Sequence, residues 1–350
     1  MIKKATFICG GELVPASRYR IHPLAEALAS ENWETEIIHG YGSLFHRIEQ
    51  PIVRRAYRGM CRIRRAAETA FLDRRGPIIV QRLALPWLGL PEAILARRNH
   101  GLVFDFDDAV FLGAGGKENS FRRRALDKVF MVSAHVVAGN SWLAGHVTAD
   151  VPVSVIPTCI DTRYYRPAKD NRGAGCLRIG WIGTSGNFPY LWQLEKPLAQ
   201  LRSMGFSFEF LICSDSFDDE LFRRLGANFE KWTSQGELPF LQSLDIGLMP
   251  LADSDWCRGK CSFKMIQYMS VGCPTVASAV GMNKDVLEND VGGRLVYDEN
   301  WVDPLVELME STKVRNEASL QARERALERY DVRVAIEKYK SILSALQSLN

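Results

Sequence analysis

The residues best suited to chemistry lie in one run, Trp256-Cys-Arg-Gly-Lys-Cys-Ser-Phe-Lys-Met-Ile-Gln-Tyr-Met-Ser-Val-Gly-Cys-Pro-Thr-Val-Ala-Ser-Ala-Val-Gly281. Ser262 reads as an N-cap, residues 263–271 as a short helix, Gly272 as its C-terminal stop and Pro274 as a guard before the next strand. Phe263, Ile266 and Met269 share the face that should pack on a sheet, and Lys264 and Gln267 share another face one turn apart. Arg258, Lys260 and Lys264 then converge on a helix N-terminus, where free N–H groups already favour anions. That is a diphosphate site built without a P-loop. The competing reading, a solvated basic loop, sits poorly with three cations before and inside an otherwise apolar helix.

A second run, Ile179-Gly-Trp-Ile-Gly-Thr-Ser-Gly-Asn-Phe-Pro-Tyr-Leu191, ends a strand at Ile182 and enters a tight loop of Gly183, Thr184, Ser185 and Gly186. Glycines there let the backbone approach a ligand, while the hydroxyls and Asn187 supply hydrogen bonds. In the other half of the chain, Asp105, Asp107 and Asp108 stand at the end of a strand. Asp105 and Asp107, two apart, fall on one face of an extended strand. Carboxylates so placed could orient an acceptor hydroxyl and take its proton, with Asp107 the first choice for that role and Asp108 the second. They could instead hold a metal, although no second ligand cluster accompanies them, or one could be a capping or turn aspartate. Gly10 and Gly11 end the first strand, and Ser17, Arg18 and Arg20 follow before a helix. A donor phosphate could approach this glycine backbone and pair with one of the two arginines.

Such residues need rigid elements, and short β-rich runs alternate with helical patterns along the chain, as in parallel α/β sheets. In the first half strands are expected near Ala5–Cys9, Thr35–His39, Ile78–Gln81, Leu102–Asp105, Val136–Gly139 and Ser154–Ile156. The second series is Leu177–Ile182, Phe208–Ile212, Phe229–Trp232, Ile246–Met249, Thr275–Ala279 and Arg294–Tyr297. Between them, 167–176 is rich in turn formers and charge and reads as a linker. The expected division is an N-terminal Rossmann-like domain over 1–166, a C-terminal one over 177–331, and a helix in 332–350 that packs back on the first. Two such domains in tandem place a cleft between them, at the carboxyl ends of both sheets.

Composition narrows the chemistry. No GxGxxG or Walker motif follows a strand, which argues against hydride transfer and P-loop chemistry. A net charge of +3 is too small to imply nucleic acid. No apolar run reaches the roughly 18–20 residues of a membrane span, and the apolar start Ala5–Cys9 reads as a core strand and not a signal peptide. The eight cysteines contain no CxxC, and Cys257 and Cys261 have no second pair or nearby histidine to complete a zinc site, so reduced thiols of a cytoplasmic protein are expected. The six histidines show no ligand spacing and receive no role.

With these motifs in place, the chain resembles a bacterial branch of the family 4 glycosyltransferases, the group 1 type. The matching stretches are Ser17-Arg-Tyr-Arg20, Val80-Gln-Arg82, Phe104-Asp-Phe-Asp-Asp-Ala109, Gly139-Asn-Ser-Trp-Leu143, Ile156-Pro-Thr-Cys-Ile-Asp161, Ile179–Gly183, Asp245-Ile-Gly-Leu-Met-Pro-Leu251 and Arg258–Gly281, in family order. The resemblance implies a GT-B fold of two facing Rossmann-like domains, donor nucleotide on the C-terminal one and acceptor on the N-terminal one. It further implies retention of anomeric configuration, with no metal or other cofactor required. Two family glutamates, which touch the donor sugar and the ribose, correspond here to Gly259 and Gln267. Gln267 can still hydrogen-bond a ribose hydroxyl, whereas Gly259 offers only backbone. The histidine many relatives hold near the acceptor corresponds to Asp107.

Between Arg47 and Arg75 nine arginines (47, 54, 55, 58, 62, 64, 65, 74 and 75) face only Glu49, Glu68 and Asp73. Ile52, Val53, Ala56, Tyr57, Met60, Ile63, Ala67 and Phe71 interleave at helical spacing. This segment is either a helix packed on the domain by its apolar side or a basic amphipathic helix on an anionic membrane. The expected function is therefore transfer of a sugar from a nucleotide-diphosphate-sugar to a glycan or lipid-linked acceptor in surface polysaccharide or glycoconjugate biosynthesis, in the cytoplasm or on the inner face of the membrane. A sugar-nucleotide epimerase or phosphorylase, or a non-catalytic nucleotide-sugar-binding scaffold, are the alternatives.

Overall fold

The computed structural model describes residues 3–42, 44–71, 76–99, 101–168 and 176–347. Most of the expected linker, and Asp73, Arg74 and Arg75 of the basic segment, lie outside these residues, as does the side chain of Arg47. The chain divides into two compact units. The first comprises Met1–Cys159, Ser254–Cys261 and Val332–Asn350, the second Ile160–Asp253 and Ser262–Asp331.

In the first unit, β1 (Lys3–Gly11), β2 (Trp33–Tyr41), β3 (Ile78–Gln81), β4 (Leu102–Phe106), β5 (His135–Ala138) and β6 (Val153–Val155) form one sheet in the order β2-β1-β3-β4-β5-β6. Every pairing is parallel. The central strands are continuous apolar runs because helices cover both of their faces. On one face Phe7, Ile79, Val103 and Val137 pack with the helix His22–Ser30 and with Ile336, Tyr339 and Leu343 of the helix Val332–Gln347. On the other, Ile8, Ile78, Val80 and Leu102 pack against Leu95 of the helix Leu90–Arg98.

The second unit holds β7 (Leu177–Ile182), β8 (Phe208–Ser214), β9 (Ala227–Lys231), β10 (Ile246–Met249), β11 (Thr275–Ser278) and β12 (Gly293–Val296), ordered β12-β11-β10-β7-β8-β9. All pairs are again parallel. Counted from β7, this is the 3-2-1-4-5-6 order of a nucleotide-binding sheet, with its switch point between β7 and β10. In the first unit β1 leads to β2 on one side and lies against β3 on the other, which puts the switch point between β1 and β3.

All twelve expected strands are present, and four expectations need correction. Residues 160–166, expected with the first domain, group with the second, because Ile160 N–H donates to Tyr330 O at 2.9 Å and Thr162 bonds Asp331. Residues 254–261, expected with the second, group with the first: Asn140 Nδ2 donates to Arg258 O at 3.2 Å and to Lys260 O at 2.9 Å. Ser262 does not cap the helix Phe263–Ser270 with its side chain; it takes a left-handed φ of 48° and its Oγ donates to Asn283 Oδ1 at 2.7 Å. Asp105 and Asp107 do not share a strand face, because β4 ends at Phe106.

Candidate functional site

In the first unit, chemistry-bearing side chains gather at the carboxyl ends of β1 to β4, around a cavity of about 350 Å³. Gly10, Ser17, Gly40, Tyr41, Gln81, Arg82 and Asp108 line it, and the helix Pro51–Phe71 contributes Arg62 and Arg65. Of the expected loop residues, Gly10 and Ser17 face this cavity. Arg20 does not serve as a phosphate ligand. It is 2% exposed, and its Nε donates to Asp105 Oδ1 at 2.7 Å while Nη1 donates to Ile156 O at 2.9 Å. Tyr339 OH donates to the other oxygen of Asp105. Burial works against the Arg20 charge, but Asp105 outweighs it and holds the guanidinium protonated. Asp105 is thus a core residue and neither a base nor half of a metal pair. Arg18 lies over the Tyr19 ring, 4.8 Å from its centre.

The other two aspartates are set apart by Arg82. This residue has φ of 57°, a conformation costly for a non-glycine side chain and the kind of local strain that collects at functional sites. Its Nε donates to Asp107 Oδ1 at 2.7 Å, and its Nη2 stands 3.6 Å from Asp108 Oδ2. Burial pushes both carboxyls up; for Asp107 Arg82, with Arg20, more than compensates and the carboxyl ends below the usual range. For Asp108 burial prevails, helped by the Asp107 charge, and the carboxyl is raised. Asp107 is therefore a committed ion-pair partner, while Asp108, on the cavity wall, is the better proton acceptor. Behind them, Asp107 O accepts from Cys261 Sγ at 3.1 Å.

Gly259 packs so closely on this wall that a Cβ there would come within 2.6 Å of Ala109 Cβ. The position therefore has no room for the family glutamate. Its neighbours look elsewhere: Arg258 Nη1 pairs with Asp255 Oδ1 at 3.3 Å, and Lys260 Nζ lies 5.6 Å from the Trp256 ring centre.

The second unit carries the other half of the expected donor residues. β7 ends at Ile182, Gly183 N–H donates to Cys213 O at 3.0 Å, and the loop turns into a helix at Ser185. Ser185 N–H donates to Asp215 Oδ1 at 2.7 Å, and Asn187 Nδ2 to Thr184 Oγ1 at 3.0 Å. A Cβ on Gly183 would sit 2.5 Å from Lys264 Cε, so glycine is what lets the lysine stem cross this loop. Lys264 Nζ lies 5.5 Å from the Trp181 ring centre. Gln267, one turn further along the helix, is buried. Tyr268 OH accepts from Ile182 N at 2.9 Å and so locks the helix to the end of β7. Gly183, Thr184 and Lys264 thus stand together at the switch point; Arg258, Gly259 and Lys260 belong to the other unit's wall.

Several participants were missed from sequence. Arg65 counted only as one arginine of the basic segment and Gln81 only as part of a matching stretch, and Asp215 gave no motif. Cys9, His22 and His39, distant in sequence, form the only group of three such ligand types within 4.8 Å among the described residues. The His22 and His39 Nε2 atoms are 2.8 Å apart, and burial lowers both imidazoles, so the neutral rings satisfy each other.

Residues 178–311 match the model of the family described as Glycosyl transferases group 1. The fold is the GT-B fold of two Rossmann-like units, shared with solved structures over nearly the whole chain. A glycosyltransferase from Rickettsia africae is 14% identical with a TM-score of 0.74, covering 100% of both chains. Sucrose-phosphate synthase from Thermosynechococcus elongatus is 13% identical with a TM-score of 0.78, covering 99% of this chain and 100% of its own. HepE from Anabaena, solved with UDP and glucose, is 15% identical with a TM-score of 0.68, covering 98% and 100%. No curated protein sequence matches the chain.

Proposed function

We propose that this glycosyltransferase takes a sugar from a nucleoside-diphosphate sugar held by the second unit and passes it to an acceptor held in the cavity of the first. The observation that carries the reading is the junction of Gly183, Thr184 and Lys264 at the β7–β10 switch point, inside the stretch that matches group 1 glycosyl transferases. Lys264 would neutralise the leaving diphosphate, and Gln267 would meet the ribose. Asp108 would receive the acceptor proton, its carboxyl already raised, with Asp107 fixing Arg82 beside it. Retention of configuration and independence of metal complete the proposal, the lysine standing where a divalent ion would otherwise balance the diphosphate. HepE was solved with UDP, so uridine nucleotides are the first donors to test. A thermal-shift screen of nucleoside diphosphates should give one that raises the midpoint. If none does, the donor reading fails. Product analysis with donor and water alone separates transfer from epimerase or phosphorylase chemistry, and binding with no turnover on any acceptor would favour a scaffold.

A specific observation also favours work at a membrane surface. On the helix Pro51–Phe71 the residues turned to solvent include an apolar row, Ile52, Ala56, Met60, Ile63, Ala67 and Phe71, which repeats at four- and three-residue steps. Ile52 is 84% exposed, Ile63 70% and Phe71 68%. The buried side of the helix carries Cys61, Arg65, Ala66, Thr69 and Ala70. An apolar stripe flanked by exposed Arg54, Arg55 and Arg64 suits an anionic bilayer on the cytoplasmic side, where a lipid-linked acceptor of surface glycan synthesis would be presented.

A further inference from the structure

The cavity of the first unit is short of negative charge. Arg62, Arg65, Arg82 and Arg122 all line it, against Asp108 as the only carboxylate on its wall among the described residues. Arg82 is already answered by Asp107 and Asp108. The others are not. Arg65 is buried and donates through Nη2 to Gln81 O at 2.7 Å and Arg82 O at 3.1 Å, yet its Nε has no hydrogen-bond partner among the described residues. A buried guanidinium N–H left unpaired is costly, and such groups call for a missing acceptor. Glu92 acts on Arg65 electrostatically, but its carboxyl accepts from Ala84 N–H, and burial outweighs it and lowers the Arg65 pKa. Arg62 stacks near Trp87, 5.8 Å from the ring centre, and burial together with the repulsion of Arg58 and Arg122 makes its proton easier to lose. Arg122 gives one N–H to Leu112 O.

We propose that this cavity binds the acceptor through an anionic group, a phosphate or a carboxylate on the sugar, gripped by Arg65 with Arg62 and Arg122. The inference rests on the reading of the cavity as the acceptor site. Guanidinium forks match the paired oxygens of either group, and an oxyanion at the switch point between β1 and β3 would fill the open Nε and quench the Arg62–Arg122 repulsion together. Asp108, on the same wall, would then meet a hydroxyl of the anchored sugar.

The test titrates the full chain, saturated with UDP, with glucose 1-phosphate, glucuronate and glucose in turn, by calorimetry. One or both anions should bind and glucose should not; which anion binds tighter separates phosphate from carboxylate. Arg62→Gln and Arg122→Gln, away from the packed core, should each weaken the anion at least about tenfold while nucleotide affinity is kept. A wild-type melting transition of the first unit shows that the variants fold. The bound anion should change the rate of nucleotide release from the sugar donor, either as acceptor or by excluding water. Equal binding of glucose and its anionic relatives, or anion binding indifferent to both variants, overturns the proposal. If transfer to a neutral acceptor is lost in Arg62→Gln without any anion binding, the anionic anchor falls and the acceptor reading stands. If anions bind through the arginines but leave donor turnover untouched, the acceptor reading itself falls, and the inference with it.

Discussion

Replacing Asp105 with asparagine tests whether the sequence-level candidate for chemistry is a structural ion instead. Arg20 and Asp105 are 2% and 0% exposed, and the pair is closed at 2.7 Å with Tyr339 OH on the second oxygen. Asp105→Asn keeps the shape and removes the charge, so Arg20 stays buried without its ion-pair partner. Uncompensated buried charges of this kind cost about 3–5 kcal/mol. For a unit of this size each kcal/mol moves the midpoint by roughly 2–4 °C, so the first unit should melt about 6–20 °C lower. Calorimetric scans with and without donor nucleotide assign the shifted transition, because nucleotide raises only the transition of the unit that binds it. Removing both charges in Arg20→Met/Asp105→Leu should recover most of the loss, as an apolar pair of similar volume often does. A midpoint within about 2 °C of wild type for Asp105→Asn would refute the reasoning, since that is the behaviour of an exposed pair. Loss of metal-dependent activity with no change in melting would return Asp105 to the role of a metal ligand.

Four other outcomes are expected. Lys264→Ala should weaken nucleoside-diphosphate binding at least about tenfold and leave a phosphate-free nucleoside unaffected, as titration of both ligands will show. Activity should persist in excess chelator, measured as nucleotide release; complete loss restored by manganese or magnesium would put a metal in the site. The acid limb of kcat/KM should lie above the ordinary carboxylate range, because burial raises Asp108 and the base is lost as pH falls through that raised value. Asp107, lowered by Arg82, cannot produce such a limb, and Asp108→Asn should abolish it without moving nucleotide affinity. The chain should sediment with anionic vesicles, and Met60→Ser/Ile63→Ser should release it, since burying each such side chain is worth about 1.5–3 kcal/mol at most; wild-type indifference to anionic vesicles would end the membrane reading.

The strands were legible because buried parallel strands read as short apolar runs, and Ile78–Gln81 and Ile246–Met249 have the expected ends. The edge strand β2 was seen only at its centre, Thr35–His39, because Trp33-Glu-Thr-Glu alternates polar residues with the core. Gly183, Thr184 and Lys264 were legible as a loop and a helix, each local in sequence. What stayed hidden depends on partners far along the chain. Arg20 meets Asp105 across 85 residues, and nothing near either announces the pair. Arg65 looked like one more arginine of a basic helix, although its i, i+4 neighbours Cys61 and Thr69 are small and uncharged, the one trace that this face turns inward. Ser262 has the right residue type for a cap, but its left-handed backbone and its bond to Asn283 follow from tertiary packing.

The composition of the first unit's core bears on the order in which the protein can form. Val332, Ile336, Tyr339 and Leu343 lie in the same cluster as Phe7, Ile79 and Val103, yet they leave the ribosome after every residue of the second unit. During synthesis the sheet β2-β1-β3-β4-β5-β6 must wait with one face only partly covered and Asp105 lacking its tyrosine, while the second unit has all its strands and can close first. The nascent chain thus carries an apolar, strand-rich surface through the synthesis of residues 160–331. The amount of native protein in a cell should therefore respond to chaperone supply and to translation rate across residues 160–331 more than the stability of the finished molecule would suggest.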